Sequence, residues 1–132
     1  MGTLRFHKSE RLCNKNLINK VFSKGNCVIY QFPLCINWVE VPLDSFEAQA
    51  QVVISVSKRS FPKAASRNRI KRQIREAYRL NKYLLLTSLK NENKKIVFSI
   101  SYQSKANSKY EQIQNSLIKL FKKINGDIQK NI

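Results

Sequence analysis

The segment from Ala65 to Lys82 reads ASRNRIKRQIREAYRLNK and holds seven positive charges against one negative charge. At about 100° per residue, residues 67–82 separate onto two opposite faces of a helix. One face is largely apolar and comprises Ile70, Ile74, Ala77, Tyr78 and Asn81. The other is basic and comprises Asn68, Lys71, Arg72, Arg75, Arg79 and Lys82. The segment therefore predicts an amphipathic helix that packs on a sheet and turns its basic face outward.

The charged side of this predicted helix lowers the stability of the helix, since like charges four residues apart destabilise it. Only Glu76 interrupts it, at its margin near Arg69, whereas a face needed for solubility alone could interleave acids. The planar fork of arginine grips phosphate oxygens, so RNA or DNA is the expected partner. Asn68 could read a base edge or a sugar, or it could cap or orient a neighbouring side chain.

The composition of the whole chain agrees with a polyanionic partner. The 132 residues are 42% hydrophobic, which predicts one domain spanning residues 1–132. Twenty-five Lys and Arg against eight Asp and Glu give a net charge of +17. No run is long enough for a spanning helix, and residues 1–12 lack an apolar signal-peptide core, so we expect a cytoplasmic protein without a membrane partner.

The three cysteines give no metal-binding pattern. Cys13, Cys27 and Cys35 are widely spaced and form no C-x-x-C pair, and the chain has a single histidine. Structural zinc needs four ligands at recognisable spacings. We therefore predict free thiols, no metal site and no protein-bound cofactor.

Alternating apolar residues predict three strands elsewhere in the chain. Residues 32–41, 52–57 and 96–102 each place apolar side chains on one face and small or polar side chains on the other. The polar faces are a candidate cleft floor. Two further helices are expected, one after Asn14 or Asn16 with Leu17 to Phe22, and one near the end with apolar residues from Tyr110 to Ile124.

The string from Arg67 to Arg79 closely resembles the signature R-N-R-x-K-R-x-x-R-E-x-x-R of the bacterial ribonuclease P protein component, and every specified position matches. The segments VVISVSKR before it and KIVFSISY after it also resemble strands of that family, as does the last helix. The resemblance covers nearly the whole chain. It implies an α+β fold, a two-layer α/β sandwich of about four strands and three helices with a left-handed βαβ crossover, as in the second domain of ribosomal protein S5. Sequence physics alone favours the right-handed crossover.

The resemblance also implies a cleft for the 5′ leader of precursor tRNA, lined by aromatic residues of the first helix and of the following strand. Phe22 fits this pattern, although core packing of Phe22 is an equal alternative. Ile18 stands where another Phe is common, and Cys35 replaces a Tyr. Phe32 or Tyr30 could supply the missing ring.

The function implied by the resemblance is that of the protein subunit of ribonuclease P, a ribonucleoprotein endoribonuclease whose RNA subunit carries the chemistry and holds most of the Mg²⁺. The expected partners are that RNA and precursor tRNA, and the free protein is expected to be a monomer with no catalytic residue. The RNA-binding residues are expected to be Lys58, Arg59, Arg67, Asn68, Arg69, Lys71, Arg72, Arg75 and Arg79. The rival is a non-catalytic basic RNA-binding protein of ribosomal or RNA-chaperone type.

Overall fold

The structure, a computed structural model, describes Phe6, residues 8–23 and residues 26–130, with side chains as far as Ile128. After a short 3₁₀ helix at Lys8–Glu10, the elements in chain order are α1 (Lys15–Val21), β1 (Cys27–Gln31), β2 (Leu34–Val41), β3 (Ala50–Val56), α2 (Ala64–Asn81), α3 (Tyr83–Asn91), β4 (Lys95–Tyr102) and α4 (Tyr110–Lys130).

The four strands form one mixed sheet in the order β1-β2-β4-β3. β1 with β2 and β2 with β4 pair antiparallel, whereas β3 with β4 pair parallel. A parallel pair needs a crossover, and α2 and α3 provide it. The α+β fold class predicted from the sequence is confirmed, and the hand of the crossover stays a prediction.

The main core lies between the sheet and helices α2, α3 and α4. Leu34, Ile36 and Trp38 of β2 point into it, as the alternation predicted, together with the alternate apolar residues of β3 and β4. From α2 it receives the apolar face predicted residue by residue: Ile70, Ile74, Ala77, Tyr78 and Asn81. Tyr78 packs against the rings of Phe98 and Phe121 with centroids 5.9 and 6.0 Å apart, so one ring cluster joins α2, β4 and α4.

Among the described residues, helix α1 and the N-terminal segment cover one end of the opposite face of the sheet. There Val21 of α1 packs with Leu12, Val41 and Val97 in a second, smaller core. Helix α1 begins where predicted, because the Asn14 side chain accepts hydrogen bonds from the N–H groups of residues 16 and 17 at 2.9 and 3.2 Å. It adds a partial third layer to the sandwich.

Two elements were not predicted from the sequence. β1 is an edge strand with Val28 and Tyr30 exposed, so its apolar side chains do not show the alternation of a half-buried strand. The helix at Tyr83–Asn91 follows α2 after a single residue, Lys82, without a Gly or Pro to mark the boundary. The predicted strand at residue 32 instead begins at Leu34, because Phe32 and Pro33, joined by a cis peptide bond, form the β1–β2 turn.

Candidate RNA-binding interface

Helix α2 presents two surfaces of different chemistry. Its inward side is apolar apart from the Tyr78 hydroxyl and Asn81, whose amide donates to the carbonyl of Ala77 at 2.8 Å. On the outward side Asn68, Arg69, Arg72 and Arg75 are exposed, and Lys71 is half-buried. We call these five residues the basic face: Asn68, Arg69, Lys71, Arg72 and Arg75. Within the described residues, no carboxylate lies within ion-pairing distance of its four cations.

Arg67, predicted at the start of this surface, is used differently. Its Nη1 donates to the carbonyl oxygens of Phe61 and Pro62 at 2.9 and 2.8 Å. Hydrogen bonds from a charged donor to loop carbonyls fix the path of the β3–α2 connection. Arg67 therefore fixes the β3–α2 connection, and only its remaining donors are available to a ligand.

Arg79 also differs from its neighbours. Its guanidinium holds the carboxylate of Glu76 through Nε, at 3.1 Å, and through Nη2. These hydrogen bonds hold the pKa of Glu76 below its usual range. The sequence placed Glu76 beside Arg69, but its ion pair is with Arg79. The charge of Arg79 is thus compensated within the helix.

Lys82 was predicted to lie on the outward side and does not. It is only 3% exposed and forms an ion pair with Glu10. The periodicity of α2 does not apply to Lys82, because α2 ends at Asn81 and the chain turns into α3.

The β3–α2 connection carries two further exposed cations, Lys58 and Arg59. Lys58 and Arg59 are exposed in a turn where the Ser57 hydroxyl oxygen accepts hydrogen bonds from the N–H groups of Arg59 and Ser60 at 3.1 and 3.3 Å. Because this turn precedes α2 directly, both cations lie toward the N-terminal end of that helix. That Lys58 and Arg59 extend the basic face stays a prediction.

Sequence reasoning missed one cation of this region. Arg11 and Arg75 line the same groove of about 250 Å³, together with Phe6 and the edge of β3 at Val52–Ile54. Arg11 pairs with Val52 as an isolated parallel bridge, which brings the N-terminal segment beside the basic face. A single arginine far from the signature gave no sequence pattern that could reveal this.

The second sheet face next to α1 is the surface predicted to form the leader cleft, and we call it the cleft beside α1. Strand register aligns Tyr30 with Cys35 and Cys35 with Ser101, so these three side chains share that face. Tyr30 is 53% exposed, and Cys35 is half-buried. Tyr30 therefore places an aromatic ring beside Cys35, the position where the resemblance predicts a tyrosine.

Two predicted cleft residues belong to α1. Phe22 caps the C-terminal end of that helix and is 50% exposed, which removes it from the core. Ile18 is half-buried and packs against the second core. The amide of Asn26 donates to the carbonyls of Lys20 and, at 2.8 Å, Val21, which fixes the end of α1 close to Phe22.

Phe32, the fourth predicted cleft residue, does not lie with the other three. It is in the β1–β2 turn and lines a groove with the first half of α4. Because α4 packs on the main-core face of the sheet and α1 on the other, the structure separates Phe32 from Phe22, Ile18 and Cys35.

The possible metal ligands of the chain are its His, Cys, Asp and Glu side chains. Among the described residues, His, Cys, Asp and Glu side chains form no group of three that could hold a metal ion. Cys13 and Cys27 are exposed free thiols, and burial raises the pKa of the Cys35 thiol. In the same part of the chain, no helix combines the length and apolar character required to cross a bilayer.

A helix whose basic face has no carboxylate partner among the described residues, and exposed rings of Phe22 and Tyr30 beside α1, are typical of proteins that bind RNA through phosphates and unstacked bases. The sequence model of the Ribonuclease P family matches residues 6–125. The chain therefore belongs to the Ribonuclease P protein family.

Similar proteins carry the same family name. The ribonuclease P protein component of Porphyromonas gingivalis is 40% identical over 84 residues, which are 64% of this chain and 60% of that protein. The one from Petrotoga mobilis is 33% identical over 122 residues, covering 90% of this chain and 94% of that protein. The solved RNase P protein of Staphylococcus aureus has 26% identity and a TM-score of 0.63, covering 89% of this chain and 95% of that one.

Proposed function

We propose that this protein is the protein subunit of ribonuclease P and assists a catalytic RNA in removing the 5′ leader from precursor tRNA. The observation that carries this proposal is the family match over residues 6–125. That range includes the complete signature on α2, whose basic face is exposed and uncompensated within the described residues. The protein would act in the cytoplasm and would be a monomer before it joins the RNA.

The basic face and the cleft beside α1 have different roles in this proposal. The basic face, extended by Lys58 and Arg59, neutralises phosphates of the RNA subunit close to its active site and reduces the repulsion between that RNA and its RNA substrate. The cleft beside α1 accepts the single-stranded leader, whose bases stack on Phe22 and Tyr30. Each stacked base contributes about 1 to 3 kcal/mol.

Chemistry at the scissile phosphodiester is assigned to the RNA. Hydrolysis by two metal ions needs carboxylates that hold the ions about 4 Å apart. The described residues bring no three metal-binding side chains together. We therefore place Mg²⁺ mainly with the RNA subunit and assign no catalytic residue to the protein.

Reconstitution tests this function. The purified protein is mixed with ribonuclease P RNA and end-labelled precursor tRNA at a magnesium concentration too low for the RNA alone. Stimulated cleavage at the mature 5′ end is expected. A folded protein that binds RNA but gives no stimulation would instead indicate the non-catalytic RNA-binding module.

A matched pair of variants separates a specific surface from total charge. The triple substitution Lys71→Ala, Arg72→Ala and Arg75→Ala should weaken assembly with the RNA subunit and leave the fold intact. The control Lys90→Ala, Lys105→Ala and Lys122→Ala removes the same charge from exposed positions elsewhere. Equal loss of stimulation in both variants would show that net charge, and no particular face, carries the function.

A further inference from the structure

A groove of about 450 Å³ lies between the β1–β2 turn and the first half of α4. The side chains that give it its chemistry are Gln31, Phe32, Lys109, Gln112, Asn115 and Lys119. Phe32 is 48% exposed within it. No residue of α2 lines this groove, and no residue of the cleft beside α1 does so.

The turn that carries Phe32 is held firmly. The Ser116 hydroxyl donates to the carbonyl of Phe32 at 2.6 Å, and the N–H of Gln103 donates to the carbonyl of Pro33 at 2.7 Å. Lys123 Nζ adds a hydrogen bond to the carbonyl of Tyr30 at 3.3 Å. The ring is therefore presented to solvent by an ordered backbone that α4 and β4 fix from two sides.

A lone exposed aromatic side chain is common on protein surfaces. Phe32 differs because it lines a concave site together with amide and cationic side chains. The amides are Gln31, Gln112 and Asn115, and the cations are Lys109 and Lys119. An aromatic face stacks on any base, amides donate to and accept from base edges, and lysines neutralise phosphates. Glu111 is the single acid in the lining, so the groove keeps a net positive charge.

We propose that this groove binds one unstacked nucleotide of a single-stranded RNA. The base stacks on Phe32, Gln112 and Asn115 contact the edge of the base, and Lys109 and Lys119 lie against the flanking phosphates. The site is distinct from the leader cleft, since Tyr30 and Cys35 point to the α1 face of the sheet and α4 covers the other. It requires only that the protein bind RNA and does not depend on activity in ribonuclease P.

Photocrosslinking tests the position of the nucleotide. The full-length protein is irradiated with a single-stranded RNA of about six nucleotides that carries iodouridine, and crosslinked peptides are mapped by mass spectrometry. We expect crosslinks at Phe32 and, separately, at the aromatic residues of the cleft. Crosslinks confined to the cleft at saturating RNA would overturn the proposal.

Affinity measurements test its energetics. In fluorescence anisotropy with the same RNA, Phe32→Ala should weaken the groove site about 5- to 100-fold, and Phe32→Tyr should retain it. Leu43→Ala is the matched control, because Leu43 is 46% exposed but does not line this groove. Unchanged affinity in a folded Phe32→Ala protein would overturn the proposal, as would an equal loss in Leu43→Ala.

The salt dependence of RNA binding distinguishes a phosphate contact of the lysines from a purely structural role. Replacing Lys119 by Ala should reduce the steepness of the log–log salt dependence by about 0.7, the value for one phosphate of a single strand. Lys90→Ala, on α3, should leave the slope unchanged. Equal slopes for wild type and Lys119→Ala would contradict the phosphate contact.

Discussion

Lys82 Nζ lies 2.8 Å from Oε1 and 3.1 Å from Oε2 of Glu10, and both residues are buried. This ion pair joins the end of α2 to the 3₁₀ helix near the N-terminus. The same N-terminal segment continues along β3, where the N–H of Leu12 donates to the carbonyl of Val52 at 2.9 Å. One lysine of the basic segment is thus a structural residue that holds the N-terminal segment beside the basic face.

Breaking this pair should destabilise the protein strongly. Lys82→Ala leaves the Glu10 carboxylate buried without its Lys82 partner, and removing one partner of a buried pair costs about 3 to 5 kcal/mol. Urea unfolding followed by circular dichroism measures the loss. Lys71→Ala, on the half-exposed basic face, is the control and should stay within about 0.5 kcal/mol of wild type.

The double substitution Lys82→Met and Glu10→Leu should recover much of that loss, since apolar replacements of a buried ion pair are often neutral. If Lys82→Ala unfolded at the same urea concentration as Lys71→Ala, the ion pair would have no structural importance.

Arg67 and Arg72 should separate into two kinds of effect. Arg67→Ala removes two hydrogen bonds to loop carbonyls and should cost about 1 to 3 kcal/mol of stability. Arg72→Ala should leave stability unchanged and reduce the salt slope of RNA-subunit binding by about one. Thermal unfolding and filter binding at several salt concentrations measure the two quantities. The reverse pattern would show that the assigned roles are exchanged.

Tyr30 should supply the aromatic ring that the resemblance predicts at position 35. Tyr30→Ala is expected to weaken binding of a single-stranded leader oligonucleotide about 5- to 100-fold, because one stacked base is lost. Tyr83→Ala removes an equally exposed tyrosine from α3 and should have no effect. Cys35→Tyr should strengthen leader binding, since it places a second ring beside Tyr30. Unchanged leader affinity in Tyr30→Ala would show that Tyr30 does not belong to the cleft.

The Cys35 thiol reports on occupancy of the cleft. Burial raises its pKa, so at a given pH a smaller fraction is thiolate and alkylation by iodoacetamide should be slower than at exposed Cys13 and Cys27. The rate should rise with pH across a range displaced upward from that of an ordinary thiol. Leader RNA should slow Cys35 further and leave Cys27, which pairs with Trp38 on the opposite sheet face, unaffected. Protection of Cys27 alone would contradict this assignment.

Much of the architecture follows from local periodicity. The buried side of α2 was predicted to the residue, because a 3.6-residue repeat fixes which side chains share a face whatever they contact. The period of two likewise identified the core-facing residues of β2 and β4. The signature from Arg67 to Arg79 indicated the family before any contact was known.

Tertiary structure alone decided which partners these residues have. Lys82 leaves the basic face because Glu10, 72 residues away, meets it in the core. Strand register places Tyr30 beside Cys35, and the β1–β2 turn directs Phe32 toward α4 on the other side of the sheet. Periodicity specifies the direction of a side chain relative to its own element, whereas contacts between distant segments depend on how whole elements pack. The sequence by itself therefore determined which side chains share a face of each helix and strand. Packing decided which charged and aromatic side chains stay exposed.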